Sequence, residues 1–341
     1  MRTLRRGQIE KSEEIQNIME LEDIRALVKD DLAALDDTIR DRLASDVVLI
    51  NQVANYIIAG GGKRLRPLLV MLAARACGYQ GTGHIEAAAI VEFIHTATLL
   101  HDDVVDSSEL RRGKDTANSV YGNEASVLVG DFLYSRAFQM ITSVGQVRVL
   151  QTLADATNII AEGEVLQLMN CGDPETTEAR YLEVIRRKTA MLFEAGTRIA
   201  SIIANQPPEI EDALSEYGQR LGVAFQLVDD VLDYRGSADE MGKNMGDDLA
   251  EGKPTLPLIY TLHNGNEEIR PMIRSAIENG GDGVELERIT VAVGESGGLD
   301  YTHDLARAEA RAAIAALDAL PETPHRQALV SLTRLAVERT A

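Results

Sequence analysis

The sequence predicts an all-α protein, a single large helical bundle around a central cavity. Three observations predict it. Apolar residues recur at helical spacing nearly from end to end. No stretch keeps the strict two-residue alternation of a half-buried strand. Glycine and proline cluster at intervals that end helices, and no linker is long enough to separate domains.

Taken in order, residues 21–44 form an amphipathic helix with Ile24, Leu27, Val28, Leu32 and Leu35 as its apolar stripe. Helices are expected next over 47–59, 65–77, 84–107, 123–143, 147–170, 176–204 and 210–235. The tail adds 255–264, 267–279, 283–297, an alanine-rich helix at 299–319 and a last one at 325–338. Breaks fall at Gly60-Gly61-Gly62, Gly81-Thr82-Gly83, Pro207-Pro208, Gly280-Gly281 and Pro321 to Pro324. No internal period of about 20–50 residues marks a repeat architecture.

Composition narrows the function. The chain has 341 residues, 45% of them hydrophobic, ample for a core. No apolar run approaches the ~18–20 residues of a membrane span. The basic start, Met1 to Arg6, lacks the apolar stretch of a secretory signal. Two cysteines, Cys77 and Cys171, make no disulfide framework, which fits a cytoplasmic protein. A net charge of −20 argues against nucleic acid as a partner. Small anionic substrates would need local basic clusters against that background.

Two aspartate pentads dominate the chain: Asp102-Asp103-Val104-Val105-Asp106 and Asp229-Asp230-Val231-Leu232-Asp233. With 25 Asp present, one Asp-Asp-x-x-Asp pattern arises by accident roughly 0.1 times in such a chain. Two, each embedded in an apolar run, are hard to explain as solvated surface. In a helix, positions i and i+4 share a face, so Asp102 projects with Asp106 and Asp229 with Asp233. Stacked carboxylates repel unless positive charge lies between them. Two such helices face to face would form an oxygen-rich cage suited to Mg²⁺ and substrate phosphates. The doublets Asp30-Asp31, Asp36-Asp37 and Asp247-Asp248 read as solvated helix faces or loops.

The basic clusters are present. In Gly61-Gly62-Lys63-Arg64-Leu65-Arg66-Pro67, glycines such as Gly62 let backbone N–H groups approach an anion, and Lys63 and Arg66 can hold phosphate oxygens. It is not a Walker loop, because Arg64 stands where Ser or Thr is required. Its ordinary reading is a glycine helix cap beside cations. Arg111-Arg112-Gly113 lies just past the first pentad, where an exposed turn would serve as well. Lys188-Thr189 sits in a helical run. Gly242-Lys243 and Gly252-Lys253 bracket a polar loop suited to a lid over phosphates, or to a plain connection. His95 precedes Asp102 by seven residues, about two turns, and so shares its face.

In this order the motifs Gly-Gly-Lys-x-x-Arg-Pro, Asp-Asp-x-x-Asp, Arg-Arg-Gly, Lys-Thr, Phe-Gln-x-x-Asp-Asp-x-x-Asp and Gly-Lys…Gly-Lys-x-Thr-Leu-Pro resemble the trans-polyprenyl diphosphate synthases. The resemblance runs from residue 19 to the end. The stretches Leu99 to Asp106, Ala125 to Phe132 and Ala161 to Leu168 resemble the bacterial octaprenyl branch in particular. It implies the all-helical isoprenoid synthase fold, a homodimer and Mg²⁺, three ions per active site. It also implies head-to-tail condensation of isopentenyl diphosphate onto an allylic diphosphate such as farnesyl diphosphate. The long product would serve quinone side chains. Residues 1–18 fall outside the resemblance and are expected to form a disordered leader to a synthase domain at 19–341.

Roles carry over by position. Asp102 and Asp106 would hold Mg²⁺ on the allylic diphosphate, with Asp103 behind them. Asp229 would bind the remaining ion, supported by Asp230 and Asp233. Lys63, Arg66, His95 and Arg112 would bind isopentenyl diphosphate. Arg111, Lys188, Thr189, Gln226, Lys243 and Lys253 would serve the allylic diphosphate. Thr189 and Gln226 would also stabilise the allylic cation through oxygen dipoles. Short-product relatives carry bulky aromatics where this chain has Ala97 and Thr98, so both positions are expected to set chain length. Two enzyme alternatives, a shorter-chain geranylgeranyl-type synthase and a terpene cyclase, share the fold. A cyclase needs aromatic walls, and this chain has no Trp and only five Phe. A non-catalytic subunit of a heteromeric synthase would have lost motif residues, and none is lost here.

Overall fold

Val28 divides the first amphipathic helix. Its backbone leaves helical angles (φ −124°, ψ 29°), so α1 spans Leu21–Leu27 and α2 Lys29–Leu43. The stripe is unbroken: Ile24, Val28, Leu35, Ile39 and Leu43 are all buried. The structure is a computed structural model that describes residues 18–59, 62, 64–111, 113–235, 246–280 and 286–339. The leader to residue 17, Lys63, Arg112 and Lys243 lie outside the described residues.

The chain continues through α3 (Val48–Ala59), α4 (Leu65–Ala76) and α5 (Gly83–Val105). A two-residue hairpin follows, β1 (Leu110–Arg111) against β2 (Lys114–Asp115), in antiparallel register with Arg111 opposite Lys114. Then come α6 (Ala117–Tyr121), α7 (Asn123–Val144) and α8 (Val147–Asn170). The expected helix at 176–204 is α9 (Glu178–Ile185), a π-helical turn (Arg186–Ala190) and α10 (Met191–Ile203). Next are α11 (Pro208–Arg235), α12 (Asp247–Ala250), α13 (Leu256–Asn264), α14 (Arg270–Glu278), α15 (Leu286–Glu295), α16 (Gly298–Ala316) and α17 (Pro324–Val337). The hairpin, α6 and α12 are departures from the sequence expectation. Each is too short for periodicity to reveal it.

The core is all-helical, as expected. Leu68 to Ala74 of α4 are buried without interruption, as are Ala87 to Val91 of α5. A helix apolar on all sides belongs in the middle of a bundle. Two glycines let α11 approach its neighbours closely. A Cβ on Gly222 would lie 2.5 Å from Ala190 Cα, and one on Gly218 would lie 2.6 Å from the Phe193 carbonyl oxygen. Among the described residues, no helix is long and apolar enough to cross a membrane.

One doublet departs from the sequence expectation. Asp31 is buried, not solvated. Arg75 Nε and Nη2 donate to its two carboxylate oxygens at 2.8 and 2.6 Å, and His84 Nε2 lies 3.0 Å away. This cluster ties α2 to α4 and α5. Burial holds the His84 pKa below its usual 6.5, although Asp31 pulls the other way. Burial alone would raise the Asp31 carboxyl, but hydrogen bonds from Arg75 and His84 take it below its usual value. Both groups, depressed on folding, contribute stability above their unfolded pKa values that is lost as pH falls. Asp31→Asn strips Arg75 of its counter-charge. It is expected to cost about 2–3 kcal/mol, less than a fully buried pair because Arg75 is partly exposed. Thermal melting at neutral pH measures it, and an unchanged Tm would show the pair contributes nothing.

Candidate active site

The π turn stands between the two pentads of the site. One extra residue per turn shifts side chains off the regular helical face, a device that recurs at functional sites. The turn fits because α8 offers Gly163, where a Cβ would meet Lys188 N at 2.6 Å. It delivers Lys188 toward the first pentad, 3.7 Å from Asp102 and 2.6 Å from Glu164 of α8. The next residue reaches the other way. Thr189 Oγ1 donates to Gln226 Oε1 at 3.0 Å, and Gln226 Nε2 donates to Asp230 Oδ1 at 2.8 Å. The two pentads, on α5 and α11, are thus joined through adjacent residues of the π turn.

Each carboxylate of the first pentad has a cation. Asp103, 1% exposed, takes Arg111 in a forked pair at 2.6–3.2 Å. The hairpin sets this pair, and Asn118 of α6 donates to the Asp103 carbonyl at 3.2 Å. Asp106 accepts from Lys253 at 2.8 Å, and Lys253 also pairs closely with Glu251. In the second pentad, Asp229 accepts from Arg339 at 2.9 Å. Asp230, also 1% exposed, accepts from the buried Tyr181 hydroxyl of α9. Asp233 is buried beside them.

Burial raises the pKa of Asp102, and the charge of Asp106 adds to it, against the pull of Lys188. Burial and nearby Asp248 lift Asp230 well above the carboxylate range. Glu164 is pushed up to about 7, by burial and then by Asp102. Burial favours neutral Lys188, but Asp102 and Glu164 outweigh it and keep the ammonium. The site is a crowd of carboxylates stabilised by cations.

The expected oxygen cage is not closed. Among the described residues, no group of three or more His, Cys, Asp or Glu side chains is gathered to hold a metal. Ammonium and guanidinium groups stand against the carboxylates instead. The donor set still suits Mg²⁺: hard carboxylate oxygens, each already placed where positive charge is favourable.

A second centre lies beside the first pentad. Arg66 Nη1 lies 3.0 Å from His95 Nε2, and its guanidinium stacks 4.5 Å above the Phe193 ring. His95, Gly62, Arg64, Leu99, Asp103 and Arg111 line one cavity. Lys63 and Arg112, expected here, lie outside the described residues, as does Lys243 of the expected lid. Ala97 is completely buried in the core, whereas Thr98 is half-buried and donates to the His95 carbonyl at 2.8 Å.

Sequence reasoning gives no role to Glu164, Tyr181, Glu251 or Arg339. Each meets its site partner across the fold or a turn, and no local pattern announces it. Only Glu251, two residues from Lys253, could have been suspected.

The polyprenyl synthetase family model matches residues 47–292. The octaprenyl diphosphate synthase of Escherichia coli strain K12 is 55% identical over 321 residues, 94% of this chain and 99% of that protein. The all-trans-nonaprenyl-diphosphate synthase (geranyl-diphosphate specific) of Rhodobacter capsulatus is 48% identical, over 93% of this chain and 98% of its own length. A crystal structure of polyprenyl synthase from Caulobacter crescentus CB15, complexed with calcium and isoprenyl diphosphate, superposes with a TM-score of 0.92 at 44% identity. It covers 95% of this chain and 99% of that one. The all-α architecture is the isoprenoid synthase fold. The chain belongs to the polyprenyl synthetase family. It is a prenyltransferase, a trans-polyprenyl diphosphate synthase, from a family that depends on Mg²⁺.

Proposed function

We propose that the chain condenses isopentenyl diphosphate repeatedly onto an allylic diphosphate such as farnesyl diphosphate, giving octaprenyl diphosphate for quinone side chains. The observation that carries the reading is the Lys188-Thr189 bridge between the two pentads. The names of the long-chain relatives support the product.

Asp102 and Asp106 would hold Mg²⁺ on one side and Asp229 on the other, with Asp103, Asp230 and Asp233 supporting them, three ions in all. When bound, Mg²⁺ neutralises the allylic diphosphate and makes it a competent leaving group. Arg111, Lys188, Lys243 and Lys253 bind the same phosphates and add positive charge where the C–O bond breaks. Thr189 donates its hydroxyl hydrogen to Gln226, which leaves the oxygen lone pairs for the developing allylic cation. Gly62, Lys63, Arg66, His95 and Arg112 hold isopentenyl diphosphate so that its double bond attacks that carbon. The proton lost afterwards goes to the departing diphosphate, because both lysine-bound glutamates and the first pentad are already committed to cations.

The assembly we infer is a homodimer. Exposed apolar side chains on α7 (Leu128) and α8 (Val165, Leu168, Met169) support it. The synthase domain is read as 19–341 after a leader at 1–18, and the Met19 N–H bonds to Ser331 Oγ of α17 at 3.1 Å. Two free cysteines support a cytoplasmic location.

Chromatography of the product made from farnesyl and isopentenyl diphosphates with Mg²⁺ tests the reading. An octaprenyl product is expected, and a geranylgeranyl product would favour a shorter-chain synthase. The two anion sites separate kinetically. Arg66→Ala is expected to raise KM for isopentenyl diphosphate at least tenfold, about 1.4 kcal/mol, with little change for the allylic substrate. Lys188→Ala should do the reverse. Steady-state kinetics varying one substrate at a time decides it, and a shared effect on one substrate would refute the assignment.

A further inference from the structure

Two lysines near the first pentad are held in the same way. Lys188 lies between Asp102, at 3.7 Å, and Glu164, at 2.6 Å. Lys253 lies between Asp106, at 2.8 Å, and Glu251, in a close pair. The two arrangements come from unrelated segments of the chain, α8 with the π turn and the turn after α12. Each is built on a glycine. Gly163 admits the π-turn backbone beside Glu164. Gly252, at φ +66°, folds Glu251 and Lys253 toward one another, and a Cβ there would meet Ile277 O at 3.0 Å.

We propose that Glu164 and Glu251 are positioning residues that hold the lysines while their aspartates exchange an ammonium for Mg²⁺. This rests on the metal reading of the first pentad. An aspartate oxygen committed to an ammonium is less available to a divalent ion, so each lysine competes with the metal. A lysine with a second carboxylate stays paired when displaced from its aspartate. Without one, the displaced ammonium is left uncompensated in a partly buried site, which is costly. The glutamate therefore eases metal entry and keeps the ammonium beside the arriving diphosphate. Burial lifts both glutamates, Glu164 to about 7, and their lysines oppose the rise.

The test is binding of Mn²⁺ alone to the full chain, read as free Mn²⁺ by electron paramagnetic resonance. Wild type binds if the pentads are metal sites. Glu164→Gln and Glu251→Gln keep side-chain size and are expected to raise the Kd for Mn²⁺ roughly five- to tenfold, the weight of about one ordinary net hydrogen bond. Lys188→Met should bind Mn²⁺ at least as tightly as wild type. In the Lys188→Met background, Glu164→Gln should then change the Kd by less than about twofold, because its effect passes through the lysine. An unchanged Kd in both single glutamate variants overturns the proposal. So does a loss that persists without Lys188, which would make Glu164 a ligand or a mere source of field. A wild type that binds no Mn²⁺ removes the metal reading along with it.

Discussion

Asp102→Ala is expected to lose roughly 10²–10³-fold or more in turnover, and Asp229→Ala the same, with helical content retained. Both side chains face cations and are only partly buried, at 17% and 39% side-chain exposure. Neither belongs to the apolar core, so their removal should leave packing intact. In the proposed mechanism, what would disappear is negative charge that holds metal on the diphosphate, and with it the stabilisation of the leaving group. In Asp102→Ala, Lys188 falls back on Glu164. In Asp229→Ala, Arg339 keeps its place over the Phe225 ring, 4.2 Å from its centre. Turnover at ordinary Mg²⁺ with circular dichroism on the same samples is the check. Near-normal activity in either variant would refute a site that uses both pentads.

Thr98→Phe is expected to shorten the main product to a few isoprene units while leaving the first condensation active. If the growing chain leaves the site along α5 toward its amino-terminal end, it passes Thr98, which lies one turn from Asp102 on that face. An aromatic ring there would place a floor under the chain. The structure separates the two positions that the resemblance supported together. Ala97 is completely buried among core residues, so Ala97→Tyr would overpack α5 at a cost of about 1–3 kcal/mol. Thr98 is half-buried, and its replacement loses only the hydroxyl bond to the His95 carbonyl. The single substitution should therefore carry the shift. Below it, on α7, Met140 and Ile141 are buried core, while Phe138 stands partly open against Tyr134 at 5.4 Å. Product chromatography decides the matter. An unchanged long product from active Thr98→Phe would mean the chain passes elsewhere.

The helices were legible because each buries a stripe or a full surface, and burial writes a period into the sequence. The pentads were legible because three carboxylates within five residues, twice over and each inside an apolar run, have no ordinary place on a solvated helix face. What stayed hidden had no local period to betray it. The π turn is helical in composition, and its extra residue shows only in what it aligns: Lys188 with Asp102 and Thr189 with Gln226. The Arg111 hairpin has two residues per strand, too few to alternate. In the sequence Asp31 reads as surface because its partners, Arg75 and His84, are more than forty residues away. Arg339 meets Asp229 across 110 positions. Charge pairs across a fold follow from topology, and topology is the aspect of a structure that spacing in sequence encodes least.

The most direct test of the two-pentad site is a crystal structure of the chain with Mn²⁺ and an unreactive thiolodiphosphate analogue of the allylic substrate. Anomalous scattering then locates the metal. Mn²⁺ is expected on Asp102 and Asp106 and on Asp229, on opposite sides of one diphosphate, with the Lys188 ammonium on a phosphate oxygen. Mn²⁺ confined to one pentad, or a diphosphate seated away from Lys188, would refute a site that uses both pentads.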